Sequence, residues 1–221
     1  MEEFLPVFFV AAMGLALLLY VILDGFGLGV GLLLPLADEI EKDIMIASIG
    51  PFWDANETWI VLGIGILLIA FPQAHGIILT ELYIPVTVIL FGLILRGVAF
   101  DLWVKAGDAR KHLWNRAFFL SSLTASMSQG WMLGAYITGL QPSMTSGLSA
   151  ALIALTLPSL YIMLGAGWLL IKTEGALCDK ALRWGRVALP PMGLALLLVS
   201  IATPIVSNEI ANRWFTLHLT G

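Results

Sequence analysis

Residues 5–36 read LPVFFVAAMGLALLLYVILDGFGLGVGLLLPL, and Asp24 is the only charged side chain among them. A helix that crosses a bilayer needs about 20 mostly apolar residues, rising about 1.5 Å each. This stretch is long enough to cross with tilt to spare. Glu2 and Glu3 stand where a secretory signal would carry Lys or Arg, and the apolar run is longer than a signal core. The stretch therefore reads as a retained span.

Working outward, the same pattern recurs at roughly 51–72, 77–103, 115–140, 149–171 and 187–206, which brings the expected total to about six spans. Hydrophobic residues make up 59% of the 221 and charged residues 12%, with a mean hydropathy of +0.95. Soluble domains are about half apolar and a quarter charged. The expected fold class is an all-α, polytopic transmembrane bundle, with lipid as its solvent and no soluble domain between the spans. Cys178 is the only cysteine, so no internal disulfide, Cys-x-x-Cys zinc site or covalent c-type haem is encoded. A net charge of −4 is too small to suggest nucleic acid as a partner.

Proline marks the breaks. Pro51 suits the first turn of the second span, Pro190 and Pro191 the start of the sixth, and Pro72, Pro142 and Pro204 helix ends. Pro85 and Pro158 fall inside spans, where kinks are expected. Nine of the eleven Lys and Arg residues lie in the loops after spans one, three and five, and none lies after spans two and four. The positive-inside rule then makes the odd loops cytoplasmic and the N-terminus periplasmic. Trp53, Trp103, Trp114 and Trp184 fall at the cytoplasmic interface in that orientation.

An ionisable side chain within a span costs roughly 2.5–3.5 kcal/mol on insertion scales, so each one requires a reason. Asp24, Asp54, Glu57, Arg96 and Asp101 all map to the cytoplasmic half. Asp54 and Glu57, three residues apart, share a helix face, and Arg96 lies at similar depth on the next inward-running span. These residues suit a buried pair or a proton relay. Simpler readings stand beside this one. Asp54 would be stabilised by the helix dipole in a first turn, Arg96 would snorkel to the surface, and Asp101 beside Trp103 would be interfacial.

Gly25, Gly27, Gly29 and Gly31 in the first span, and Gly130 and Gly134 in the fourth, give the small-residue spacing that lets helices approach closely. Ser126, Ser128 and Gln129 could add interhelical hydrogen bonds. His75, His112 and His218 lie at or beyond span ends, so a bis-histidine haem inside the bilayer is not supported. Gly29–Leu34 and Gly165–Leu170 form a faint repeat that makes the fifth span a counterpart of the first.

Four stretches, taken in order, closely resemble subunit II of the cytochrome bd quinol oxidases: Leu23–Gly31 (LDGFGLGVG), Pro51–Trp59 (PFWDANETW), Ala70–Pro72 (AFP) and Leu95–Phe100 (LRGVAF). Ser128–Gly130 and Ala211–Phe215 resemble the cyanide-insensitive branch of that family. The resemblance implies a two-subunit oxidase of the bacterial inner membrane. A haem-bearing subunit I holds haem b, haem d and the quinol substrate, and subunit II supports it and adds polar residues to a cytoplasmic proton path. Carried over residue by residue, Asp54 leads that path, Asp24 and Glu57 follow, and Arg96 balances their charge. This chain itself would carry no haem and no metal; a structural quinone and membrane lipid are the small molecules left open for it. The family motif often has a second acid where this chain has Gly27. Family members usually have eight helices in two four-helix repeats, so residues 1–140 correspond to the first repeat and 141–221 to part of the second. The alternative is a proton-coupled secondary transporter, which also uses intramembrane acids, although no paired broken helix is evident.

Overall fold

The computed structural model describes residues 4–105, 107–140 and 143–206. Among them every regular element is helical: α1 (Phe4–Leu33), α2 (Glu39–Ile49), α3 (Trp53–Ala70), α4 (Pro72–Glu81), α5 (Tyr83–Lys105), α6 (Asp108–Ile137), α7 (Met144–Lys172) and α8 (Ala176–Val206), with one 3-10 turn at Leu34–Leu36. The chain is a polytopic helical bundle.

Among the described residues, five helices are long and apolar enough to cross a membrane, over Phe4–Leu36, Trp53–Ala70, Tyr83–Lys105, Ser146–Lys172 and Ala176–Ile201. The difference from the expected six is α6. Its 30 residues reach about 45 Å, but its middle holds Ser121, Ser122, Thr124, Ser126, Ser128 and Gln129. The four serines are buried against neighbouring helices, so the polar stripe that lowers its hydropathy faces protein.

Three expected boundaries are corrected. The run 77–103 is broken at Leu82 into α4 and α5, and Pro85 then lies in the first turn of α5, where its missing N–H costs no helix bond. The sixth span begins at Ala176, not near Pro190. Leu177, Ala181 and Ala188 are buried in the apolar interior, and Pro190 and Pro191 sit inside the helix. A helix also fills the loop after α1: Asp38 accepts from the Glu41 backbone N–H at 2.9 Å while the Glu41 carboxylate accepts from the Asp38 N–H at 3.0 Å, a reciprocal cap that starts α2. Pro142, His218 and the Ala211–Phe215 motif lie outside the described residues.

α1 and α7 form the centre. α1 packs on α3, α6 and α7, α7 packs on α1, α6 and α8, and α5 packs on α6. A Cβ on Gly29 would lie 1.8 Å from the Tyr161 carbonyl oxygen, and one on Gly165 would lie 2.4 Å from the Gly29 carbonyl carbon. The two backbones therefore touch, which only glycine permits. Gly25 faces Tyr161 and Leu164, Gly31 faces Phe118 and Ser122, and Gly130 and Gly134 lie against Ala154 and Ala150.

At the basic end, Phe26 stacks on Trp168 with ring centroids 4.0 Å apart, and Trp53, Trp103, Trp114 and Trp184 pack around the same apolar core. The inner face of α2, Met45, Ile46 and Ile49, completes this core. Ion pairs hold its outer face: Lys180 to Glu41 at 2.6 Å and Lys111 to Asp43 at 2.9 Å.

Candidate functional site

Asp24 sits where the lipid-exposed half of α1 gives way to its buried half. Arg96 approaches from α5 and is 1% exposed, as is Asp24. One guanidinium nitrogen, Nη2, donates to Asp24 Oδ1 and, at 2.5 Å, to Glu57 Oε1 on α3. Nε reaches the same Glu57 oxygen at 3.2 Å. Two buried or half-buried carboxylates thus share one cation, and the burial of each charge is offset by its partners. Gly27 leaves room for this: a Cβ there would lie 3.9 Å from both Arg96 Nη1 and Asp24 Oδ1. The Asn56 side chain, buried on α3, donates to the Leu23 carbonyl at 2.8 Å and fixes α3 against α1 beside the cluster. Trp53 packs on Phe100 at 5.0 Å and faces Gly97, so α3 and α5 meet chiefly through side chains.

Toward the other end lie Tyr20, one helical turn before Asp24, and two partners from other helices. The Tyr161 hydroxyl on α7 donates to Gln129 Oε1 on α6, and Gln129 Nε2 donates to the Tyr20 oxygen at 2.8 Å. Asp24 Oδ2 and Arg96 Nη1 have no hydrogen-bond partner among the described residues.

Of the acids singled out in the sequence, Asp24 and Glu57 are brought together with Arg96. Asp54 is not: it lies in the first turn of α3 with its side chain exposed. Asp101 is exposed as well. Tyr20 and Tyr161 were missed by sequence reasoning. The signal for Tyr20 was its spacing, four residues before Asp24 on one helix face; Tyr161 has no comparable signal. Ser128 donates to the Pro85 carbonyl at 2.5 Å and so ties α6 to α5, whereas Ser126 bonds within its own helix. Among the described residues no three His, Cys, Asp or Glu side chains gather as a metal site.

The family model for cytochrome bd terminal oxidase subunit II matches residues 5–220. The chain belongs to that family. Similar relatives include a cytochrome bd ubiquinol oxidase subunit 2 from Bacillus subtilis, 41% identical over 96 residues, which covers 39% of this chain and 28% of the relative. A cytochrome bd-I ubiquinol oxidase subunit 2 from Escherichia coli is 30% identical over 129 residues, 57% of this chain and 34% of the relative. A probable cytochrome oxidase subunit 2 from Haemophilus influenzae is 29% identical over 175 residues, 72% and 46%. The chain spans less than half the length of these curated relatives. Five apolar helices and this membership make the chain a multi-pass bacterial membrane protein. In this member of the subunit II family, three of the four stretches that carried the resemblance converge: Leu23–Gly31 supplies Asp24 and Gly27, Pro51–Trp59 supplies Asn56 and Glu57, and Leu95–Phe100 supplies Arg96 and Phe100; Ala70–Pro72 lies at the opposite end of α3.

Proposed function

We propose that the chain acts as the non-haem subunit II of a quinol:oxygen oxidoreductase in the bacterial inner membrane, with its basic end in the cytoplasm and its N-terminus in the periplasm. In this reading a partner subunit I holds haem b, haem d and the quinol site, where quinol supplies the electrons that reduce oxygen to water. The polar groups buried here are carboxylates, hydroxyls, amides and a guanidinium, and none of these except a tyrosine oxygen is a customary haem ligand. This chain supports the partner and brings cytoplasmic protons toward it. Residues 1–140 form one four-helix unit and 141–221 part of a second.

One observation carries the proton path: Glu57, its side chain 23% exposed, connects the buried Asp24–Arg96 pair to the surface, and Asp54 stands exposed one turn nearer the basic end. An exposed carboxylate on a spanning helix is expensive against lipid. It is accounted for if protein or water of the complex covers this face. Asp24 Oδ2 and Arg96 Nη1 keep free hydrogen-bonding capacity for a proton carrier. The transporter reading shares only the intramembrane acids, and nothing in the geometry favours it.

The test is Asp54→Asn in the assembled oxidase. An amide cannot relay a proton, so oxygen consumption with quinol should fall on the order of a hundredfold while the reduced-minus-oxidised haem spectrum is kept. Unchanged turnover would remove Asp54 from the path, and loss of haem or of subunit I would assign it to assembly.

A further inference from the structure

The basic end also carries a cavity for which the oxidase reading has no use. It measures about 260 Å³ and opens where the 3-10 turn after α1, the start of α2 and the first turns of α6 meet. Leu34, Pro35 and Phe119 give it an apolar side, and Glu39, Lys42 and Arg116 a charged side, with His112 on the same wall. Lys42 is paired with Glu39 at 2.7 Å. Arg116 makes no ion pair among the described residues and supplies the surplus positive charge.

Asn115 adds the second observation. It lines the cavity and is 6% exposed, yet neither its amide oxygen nor its amide nitrogen has a hydrogen-bond partner among the described residues. Buried amides are seldom left so. A ligand that fits must offer an anion to Arg116, an acceptor to the Asn115 nitrogen and a donor to the Asn115 oxygen, with an apolar portion beside them.

We infer that this cavity binds the headgroup of an anionic phospholipid whose phosphodiester carries a hydroxylated alcohol, as in phosphatidylglycerol. The phosphate oxygens take the fork of Arg116 and the Asn115 N–H groups, and the headgroup hydroxyl donates to the Asn115 oxygen. The acyl chains lie along Leu34 and Phe119. The cavity is at the level where the first apolar span ends, at Leu36, which is where headgroups sit. Basic pockets between spanning helices commonly hold such groups. Free phosphate has the same anionic chemistry but no use for the apolar side.

The test is native mass spectrometry of the full chain in mild detergent, stripped of lipid and titrated with phosphatidylglycerol, phosphatidic acid, phosphatidylcholine or inorganic phosphate. The expected result is one retained phosphatidylglycerol per chain, with phosphatidylcholine bound about tenfold more weakly. Arg116→Gln should weaken phosphatidylglycerol about tenfold, the scale of one charge-assisted hydrogen bond. Its melting temperature without lipid should not change, because the side chain is exposed. Asn115→Leu should erase the preference for phosphatidylglycerol over phosphatidic acid, which lacks the headgroup hydroxyl. Equal binding of phosphatidylglycerol and phosphatidylcholine, displacement by inorganic phosphate at matched concentration, or an equal loss in Arg183→Gln, a cation away from the cavity, would each overturn the assignment.

Discussion

Arg96 carries a full charge into an apolar interior, and its surroundings show how that is sustained. Removing Arg96 alone strands the fully buried Asp24, whereas removing both leaves Glu57, its side chain 23% exposed, as the charge that lacks a partner. Arg96→Met should therefore destabilise the fold by about 3–5 kcal/mol, and Asp24→Leu combined with Arg96→Met should recover part of that loss. Thermal unfolding of the two variants in mild detergent measures both; a double variant no better than the single one would contradict the pairing. That these residues stood out in the sequence has a plain cause, since charges are rare in apolar runs. Which of two nearby acids turns inward was not legible. Asp54 and Glu57 are three residues apart, but the inward face of α3 is narrow, with Asn56 and Gly63 as its buried residues, and it admits Glu57 while leaving Asp54 outside. The Tyr161–Gln129–Tyr20 chain was hidden for another reason: its members come from three helices, and only Tyr20 has a local spacing to reveal it. Its central amide is a donor on one side and an acceptor on the other, so it orients Tyr20 beside Asp24 and cannot itself hand a proton onward.

Helices were legible as apolar runs, and their ends were not. Pro190 and Pro191 look like a first turn, yet the packing of Leu177 and Ala181 extends α8 well before them. α2 escaped because it is short and half polar; its signal was Asp38 followed three residues later by Glu41, a cap and not a periodicity. The Glu41 backbone N–H donated to Asp38 holds that carboxyl below the usual range. With the native pKa depressed, the cap contributes above the unfolded value of about 4 and is lost as pH falls through the lower native value. Asp38→Ala should speed hydrogen exchange at the amides of Glu41 and Lys42 at neutral pH. The difference from the unsubstituted chain should shrink on acidification through that range; a difference independent of pH would show that the carboxylate is not the cap. At the centre, Gly29→Ala places a methyl against the α7 backbone and should cost about 1–3 kcal/mol, as overpacking does. Gly65→Ala meets nothing within 4 Å and should be neutral or slightly stabilising. Melting temperatures of the pair separate a true backbone contact from a general intolerance of alanine.

For the molecule as a whole, its all-helical membrane character follows from composition alone, whereas its direction in the membrane rests on where Lys and Arg fall. Cys178, the single cysteine, lies half-buried at the start of α8 near the Lys180–Glu41 pair. It should resist a membrane-impermeant maleimide applied to intact spheroplasts and react in inverted vesicles. Labelling from outside would reverse the topology proposed for the chain and move Asp54 to the periplasmic side. The two flanks of the bundle also differ in kind. Where α7 meets α1 and α6, glycines leave no space between backbones; α3 packs on α1 and α5 on α6, but α3 and α5 meet each other chiefly through side chains, Glu57 with Arg96 and Trp53 with Phe100. The α7 seams are held by close contact, whereas the seam between α3 and α5 is held in part by charge. Neutralising Glu57 therefore loosens that one seam and leaves the glycine contacts as they are.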